Sequence, residues 1–193
     1  GYINAKDMIF MGYIRPDKTG GFTNSFRWKN LTASVVADFA MGHVINNGSL
    51  AYGLASIRNN YNTYTEALKD CWTPENPNAK YPRFSPLSDA DYATRNFTRS
   101  GESIGSSTSG QSNNSAFYQK GDFLAIREIS LAYNLPKSLT KMLRISALQI
   151  FGGVYNVGYI TGYDGMTPEL YLGYDYGQYP RPREYSMGVN ITF

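Results

Sequence analysis

The chain has 193 residues, enough for one domain with a proper core, and carries a net charge of +3 from basic residues that are scattered singly. The lack of a basic patch argues against nucleic-acid binding, and a single cysteine excludes a disulfide framework and a thiolate metal site. No segment approaches the roughly 18 consecutive apolar residues of a transmembrane helix. The 17 tyrosines and 19 glycines favour strands and turns over helices.

Five segments alternate apolar and polar side chains with the period of two that is typical of extended strands. The first two are separated only by Lys29 and Asn30, which predicts a tight hairpin. The predicted strands lie near residues 20–29, 31–42, 117–135, 143–157 and 184–193.

The third predicted strand changes the parity of its apolar residues. Leu124 and Ile126 have even numbers, whereas Ile129 and Leu131 have odd numbers. The change predicts either a β-bulge near Arg127 and Glu128 or a departure of the strand from the apolar layer there.

Two connections between the predicted strands are much longer than the others. Residues 43–116 and 158–183 are rich in Gly, Asn, Ser and Pro, and within the first of them residues 61–72 have helical character. Because short and long connections alternate, an antiparallel sheet would collect its elaborate loops at one end. Outer-membrane barrels have this asymmetry, with short periplasmic turns and long extracellular loops. A soluble β-sandwich, which also alternates, is the alternative.

The last nine residues form an unbroken apolar stripe at alternate positions, with Ser, Gly, Asn and Thr between them. Most chains leave their last residues to fray, so this stripe requires a partner surface. A strand of about 9–11 residues crosses the hydrocarbon of a membrane when tilted. The stripe consists of Tyr185, Met187, Val189, Ile191 and Phe193.

Four motifs occur in order along the chain: "TGGFTNSFRWKNLTASVVADFAMGHVINN", "WTPENPNAKYPR", "GDFLAIREISLAYNLP" and "YPRPREYSMGVNITF". From about Asp7 to Phe193 they resemble the carboxyl-terminal part of the SusC/RagA family of TonB-linked, or TonB-dependent, outer-membrane transporters. The stretch "TGYDGMTPEL" departs from the family's pattern by extra residues between Asp164 and Pro168. The resemblance implies an all-β fold, an antiparallel up-and-down sheet that forms about the last five strands of a 22-stranded transmembrane β-barrel. It also implies long extracellular loops, one of which contains a short helix.

The resemblance further implies that residues 1–193 are the carboxyl-terminal barrel portion of a longer protein, without a plug domain or a signal peptide in this chain. The whole protein would import oligosaccharides or peptides across the outer membrane of a Gram-negative bacterium, with energy from TonB. Its expected partners are a SusD-like lipoprotein at the extracellular face, the TonB complex through absent amino-terminal parts, the lipid bilayer and the outer-membrane assembly machinery. That machinery would read the terminal stripe as an assembly signal. The alternative function is a soluble β-sandwich module for carbohydrate binding or adhesion.

No bond chemistry is predicted, and the expected function is not enzymatic. His43 is the single histidine and has no nucleophile at a suggestive spacing, and Cys71 is interpreted as a buried thiol on a helix face. Asp164, Glu169 and Asp175 carry oxygen ligands that Ca²⁺ prefers, but their spacing favours an ordinary solvated loop. We therefore predict no catalytic residue, no metal site and no cofactor.

Aromatic residues in the long connections are the remaining functional signal. Aromatic planes pack on the apolar faces of sugar rings, and a nearby carboxylate can bond hydroxyl groups. Alternatively, these side chains pack the loops against each other or against the lid protein. The residues predicted to contact ligand or lid are Trp72, Tyr171, Tyr174, Asp175, Tyr176 and Tyr179.

Overall fold

The computed structural model describes residues 8–55, 64–79, 115–170 and 172–193. Within these residues seven strands and three short α-helices are formed, together with a 3₁₀ turn at Ser115–Phe117. The strands are β1 (Lys18–Trp28), β2 (Leu31–Met41), β3 (Val44–Asn46), β4 (Tyr118–Lys120), β5 (Phe123–Asn134), β6 (Ala147–Thr161) and β7 (Glu184–Thr192). The helices are α1 (Gly48–Ala55), α2 (Thr65–Lys69) and α3 (Lys137–Met142).

The chain divides into two compact units. The sheet unit consists of Arg15–His43, Gly121–Tyr163 and Tyr179–Phe193. The loop unit takes its described residues from Gly1–Ile14, Val44–Lys120 and Asp164–Gln178.

The sheet unit is one antiparallel sheet with the strand order β1-β2-β5-β6-β7. Lys29 and Asn30 form the predicted hairpin turn, and Lys29 has a φ of 53°, which lets the chain reverse within two residues. A longer connection, which contains α3, joins β5 to β6 at the same end of the sheet. Both remaining connections leave from the opposite end, where Ala40 pairs with Phe123 and Phe123 with Thr161. The predicted collection of long connections at one end is thus confirmed.

A β-bulge at Arg127 accounts for the change of parity in β5. Glu128 pairs with Val36 and Ile126 with Ala37, so the register of β2 against β5 leaves Arg127 without an opposing residue. The pairing of β5 with β6 shifts at the same place. Of the two interpretations that the sequence left open, the bulge is the one observed.

The prediction of one strand near 117–135 is wrong. In the structure this segment forms two strands, β4 and β5, which belong to two different sheets. Gly121 and Asp122 separate β4 from β5. The Gly121 N–H donates to the carbonyl of His43, 2.9 Å away, and the Asp122 carboxylate accepts a 2.7 Å hydrogen bond from Gly42 N–H. These bonds fix the chain at the start of β5.

The other strand boundaries differ by a few residues from the sequence-based ones. The predicted strand near 143–157 begins at Ala147, because the preceding residues close α3, and it continues to Thr161. Arg144 has a φ of 59° directly after the helix, a conformation that ends helices. Among the described residues of the sheet unit, Ala40, Phe123 and Ala125 form a small buried cluster with Tyr159 packed against it.

The loop unit contains the two-stranded sheet of β3 and β4 together with α1 and α2. Asn47 directly precedes α1 as its N-cap, and its side-chain oxygen accepts a hydrogen bond from Leu50 N–H at 2.9 Å, which satisfies one free donor of the first turn. The segment Gly173–Asp175 is bonded to β3, since Asn46 N–H donates to Gly173 O and Asp175 N–H donates to Asn46 O. Ile45, on β3, is fully buried.

Among the helices that the structure describes, none combines the length and the apolar character needed to cross a bilayer.

Candidate functional site

One face of the five-stranded sheet is apolar across its whole width. Residues that pair directly across neighbouring strands have their side chains on the same face, so the pairing register shows which residues belong to the apolar face. In one row Trp28 pairs with Leu31, Leu31 with Tyr133, Tyr133 with Ile150 and Ile150 with Val189. This face also includes Lys18 and Asn24 of β1, and its large apolar residues are Phe22, Phe26, Trp28, Leu31, Val35, Phe39, Leu124, Ile126, Ile129, Leu131, Tyr133, Leu148, Ile150, Val154, Ile160, Tyr185, Met187, Val189 and Ile191.

Most of the large side chains on the apolar face are exposed. Met187 is 88% exposed, Phe26 64% and Leu131 52%, on strands at both edges and in the middle of the sheet. Monomeric soluble proteins rarely expose contiguous apolar patches of such extent, so this face requires an apolar environment.

The terminal stripe lies on the apolar face. Tyr185, Met187, Val189 and Ile191 pair with residues of β6 that lie on the same face. Phe193 follows the end of β7 and is 91% exposed. The structure thus gives the stripe an orientation, while its role as an assembly signal stays a prediction.

The opposite face of the sheet, called the polar face, carries most of the polar strand residues, although the cluster of Ala40, Phe123, Ala125 and Tyr159 also lies on it. Its residues include Thr23, Ser25, Arg27, Thr32, Ser34, Asp38, Glu128, Ser130, Asn134, Gln149, Gly153, Ser186, Gly188 and Asn190. Near the end of the sheet with the hairpin at Lys29 and helix α3, three side-chain amides of this face form a ladder across β5, β6 and β7. Asn190 donates to Gln149 at 3.2 Å, and Gln149 donates to Asn134 at 3.1 Å.

The bulge residue Arg127 supplies a cation to the polar face. Its guanidinium donates two hydrogen bonds to Asp38, one of them from Nη2 to Oδ2 at 2.7 Å, and lies 5.9 Å from the ring centroid of Tyr159. Both residues of the pair are only partly exposed, and bidentate Arg–carboxylate geometry is the strong form of this interaction. The pair bridges β2 and β5 at the bulge.

A depression of about 230 Å³ opens on the polar face over β2, β5, β6 and β7. Glu128, Ser130, Phe151 and Tyr155 contribute to its walls, and Gly153 lies among them. This site was not predicted from the sequence, which placed Phe151 and Tyr155 only within the predicted strand near 143–157. The available signal was the placement of two aromatic residues at polar-face positions of β6.

The predicted ligand-contact residues of the loop unit are partly brought together. Tyr174 and Tyr176 have ring centroids 4.1 Å apart with an angle of 40° between the planes. The ring of Tyr174 covers Gly48, where a Cβ would lie 2.5 Å from ring atoms, so only glycine fits below it. Tyr176 is 72% exposed and presents its ring to solvent.

Asp175, between these tyrosines, is buried rather than presented to solvent. Its carboxylate accepts hydrogen bonds from Ser49 Oγ at 3.0 Å and from Gly177 N–H at 2.6 Å. This side chain therefore holds the loop in its conformation. A contact with ligand, as the sequence predicted, would have to come from its neighbours.

The remaining predicted residues lie apart in the chain. Trp72 is partly exposed and precedes a turn in which Asn76 N–H donates to Thr73 Oγ1 at 3.1 Å. Tyr179 belongs to the sheet unit and is 94% exposed. Tyr171 lies outside the described residues.

The residues that the sequence offered for catalysis or metal binding make other contacts in the structure. In the part of the chain that the structure describes, no group of three or more His, Cys, Asp or Glu side chains is close enough to hold a metal ion. Asp164 bonds Gln119 instead, and Cys71 follows α2 rather than lying on it, with its Sγ 3.7 Å from Leu68 O.

His43 is buried at the end of β2, with its ring edge against Phe123. Among the described residues its Nδ1 has no hydrogen-bond partner. Burial lowers the pKa of His43 because it disfavours the charged ring, and the carboxylate of Asp122 opposes this shift in part. The imidazole is therefore neutral at neutral pH.

Comparison with known proteins confirms the resemblance found in the sequence. No family model matches the chain. TonB-dependent receptor P26 of Formosa agariphila is 28% identical over 209 residues, and TonB-dependent receptor P3 of the same organism is 25% identical over 205 residues. Both alignments cover 100% of this chain, which spans 18% of the length of each relative.

Solved structures show the same fold. The structure of the RagAB peptide transporter matches 93% of this chain with a TM-score of 0.70 and 22% identity, over 17% of its own chain. The RagAB peptide importer in the closed-closed state matches 93% of this chain with a TM-score of 0.67 and 22% identity, over 18% of its own chain. The predicted antiparallel sheet is therefore confirmed as a fold found in these transporters.

Proposed function

We propose that this chain is the carboxyl-terminal wall segment of a β-barrel transporter in the outer membrane of a Gram-negative bacterium. The single observation that carries the proposal is the continuous, exposed apolar face of five antiparallel strands, opposite a polar face. In a membrane barrel the first face meets lipid and the second meets the lumen. A soluble β-sandwich would instead bury its apolar face against a second sheet.

The barrel is completed by strands outside this chain, to about 22 in all as the resemblance implies. β1 and β7 are the edge strands of the sheet, and unpaired edges are a liability that barrel closure removes. The connections at the end of the sheet near His43 and Thr161 face the cell exterior, and the connection with α3 faces the periplasm.

The whole protein imports oligomeric nutrients with energy from TonB. The names of the relatives, TonB-dependent receptors, support this mode of uptake, and the description of RagAB as a peptide importer supports peptides over oligosaccharides as the substrate class. A SusD-like lipoprotein covers the extracellular mouth. Tyr176 and Tyr179, both exposed in the connection between β6 and β7, are the side chains best presented to the ligand or to this lid. The protein performs no bond chemistry.

Site-directed spin labelling of the full-length protein in lipid vesicles tests the location of the two faces. Met187 and Ser186 are adjacent on β7 and lie on opposite faces, and Leu131 and Ser130 repeat this pair on β5. Labels at Met187→Cys and Leu131→Cys should be accessible to oxygen, which concentrates in lipid. Labels at Ser186→Cys and Ser130→Cys should be accessible to a water-soluble nickel reagent. Low accessibility of the labels at Met187→Cys and Leu131→Cys to both reagents would instead indicate a face buried against a second sheet, as in the soluble sandwich, and would refute the proposal.

A further inference from the structure

The depression on the polar face has the size of a site for one side chain. Its volume of about 230 Å³ is below the range of roughly 300–1,000 Å³ that is usual for sites that hold a whole small-molecule ligand. Gly153 is one of its lining residues, and a Cβ added there would meet Ser130 Cβ at 3.5 Å and the ring of Tyr155 at 3.6 Å. A larger side chain at Gly153 would therefore occupy the space.

The depression carries one formal charge, the carboxylate of Glu128, which is the only charged side chain among its lining residues. Glu128 is half-buried, and within the described residues it forms no ion pair. Asp38, the other carboxylate near the bulge, is neutralised by Arg127. A carboxylate in a concave, partly desolvated site attracts a cation more strongly than one on an open surface.

The uncharged walls also suit a cation. Tyr155 pairs with Glu128 across the strands, and Phe151 lies on the same face of β6 two rows away. Aromatic rings attract ammonium and guanidinium groups through their negative faces. The hydroxyl groups of Ser34 and Ser130, which also line the depression, can accept hydrogen bonds from such a group.

We propose that this depression binds one cationic side chain, Lys or Arg, of a peptide ligand. Glu128 supplies the countercharge, Tyr155 a cation–π contact and the serines hydrogen bonds. The inference rests on the proposed function, because the polar face must line the lumen for a peptide to reach it. A neutral sugar ring would match the aromatic walls but would leave the charge of Glu128 without compensation.

The test measures how two peptides bind to the full-length protein in detergent. The peptides are acetylated and amidated and have the sequence Gly-Ser-X-Ser-Gly, with X either lysine or 2-aminoheptanoic acid, whose uncharged pentyl side chain has the same number of heavy atoms. Isothermal titration calorimetry should give roughly tenfold tighter binding of the lysine peptide, as expected for a charge-assisted hydrogen bond in a partly solvated site.

Three variants and two controls connect this preference to the depression. Glu128→Gln should abolish the preference for lysine, and Gly153→Leu should abolish it by filling the space. Tyr155→Leu should reduce it about threefold, whereas Tyr155→Phe, which keeps the ring, should leave it unchanged. Glu184→Gln is the matched control, because Glu184 is the other cross-strand partner of Tyr155 but does not line the depression. The preference of the Glu184→Gln variant for the lysine peptide should remain within twofold of that of the unmodified protein.

Several outcomes would overturn the inference. They are an absence of binding by the lysine peptide, an equal affinity of both peptides, and a preference that survives in Glu128→Gln. If Glu128→Gln lowers the thermal stability without changing peptide binding, a basic side chain of the same protein fills the depression instead. Dependence of oligosaccharide binding on Glu128 with no preference for lysine would assign the site to sugars. The spin-label test of the proposed function does not depend on peptide binding. If the peptide experiment fails but the label at Met187→Cys is exposed to lipid, this inference is refuted and the proposed function is retained.

Discussion

Replacement of Val189 by arginine is the most direct energetic test of the apolar face. β7 has nine residues, which at about 3.3 Å each span roughly 30 Å, or about 23 Å along the membrane normal at the tilt of outer-membrane strands. This height approaches the ~25 Å apolar band of such barrels. Val189 is one residue from the midpoint of β7 and pairs with Ile150 on the apolar face, so its side chain lies close to the midplane.

Val189→Arg should therefore destabilise the folded full-length protein by about 2–4 kcal/mol, as a charge on the lipid face does near the midplane. Asn190→Arg is the matched control one residue away. It removes the 3.2 Å hydrogen bond to Gln149 but leaves the new guanidinium in water beside the same acceptor. Its cost should be about 0–1 kcal/mol.

Urea titrations of the refolded protein in lipid vesicles measure both values. Phe193→Ala belongs in the same series, because Phe193 lies beyond the last strand and is 91% exposed. Its refolded stability should stay within about 0.5 kcal/mol of the unmodified protein, while its assembly in cells should decrease. If Asn190→Arg proves as damaging as Val189→Arg, the two faces do not separate lipid from water and the reasoning is refuted.

Three further predictions follow from the same structure. The 193-residue chain alone should aggregate or oligomerise on size-exclusion chromatography without detergent, because its apolar face and both sheet edges are uncovered; a monomer with a cooperative melt would contradict this. Acidification below about pH 6.5 should lower the urea midpoint of the full-length protein, and His43→Gln should weaken this dependence. Burial lowers the pKa of His43, so the unfolded chain takes up the proton first and stability falls toward that pKa. On whole cells, Tyr179→Cys should react with an impermeant maleimide, and Lys137→Cys only after the outer membrane is permeabilised; the reverse pattern would invert the topology.

The strands were predictable from the sequence where side-chain alternation reports burial directly. The hairpin at Lys29, the bulge near Arg127 and the apolar stripe of β7 each follow from the period of two or from its interruption. The predicted strand boundaries were wrong where hydrogen bonds to residues distant in the sequence determine them. The break before β5 depends on a bond between Asp122 and Gly42, 80 residues apart, which alternation does not record.

The candidate site was less predictable, because exposure depends on tertiary contacts. Asp175 and Tyr176 are neighbours in one Gly-rich segment, yet one is 3% exposed and the other 72%. Asp175 differs because its carboxylate accepts a hydrogen bond from Ser49, a residue of α1 that is far away in the sequence. Helix α1 itself was missed, although Asn47 provides an N-cap signal in front of it.

The bulge at Arg127 links the two faces of the sheet. Without an extra residue, a shift of one position would send Leu124 and Ile126 to the polar face, since side chains alternate along a strand. The extra residue keeps the apolar face continuous from β2 through β6 and at the same time adds a guanidinium to the polar face. Asp38 neutralises this charge, and Glu128, the next residue, has no ion-pair partner among the residues that the structure describes. The same local insertion therefore shapes the surface proposed to meet lipid and the surface proposed to meet the ligand.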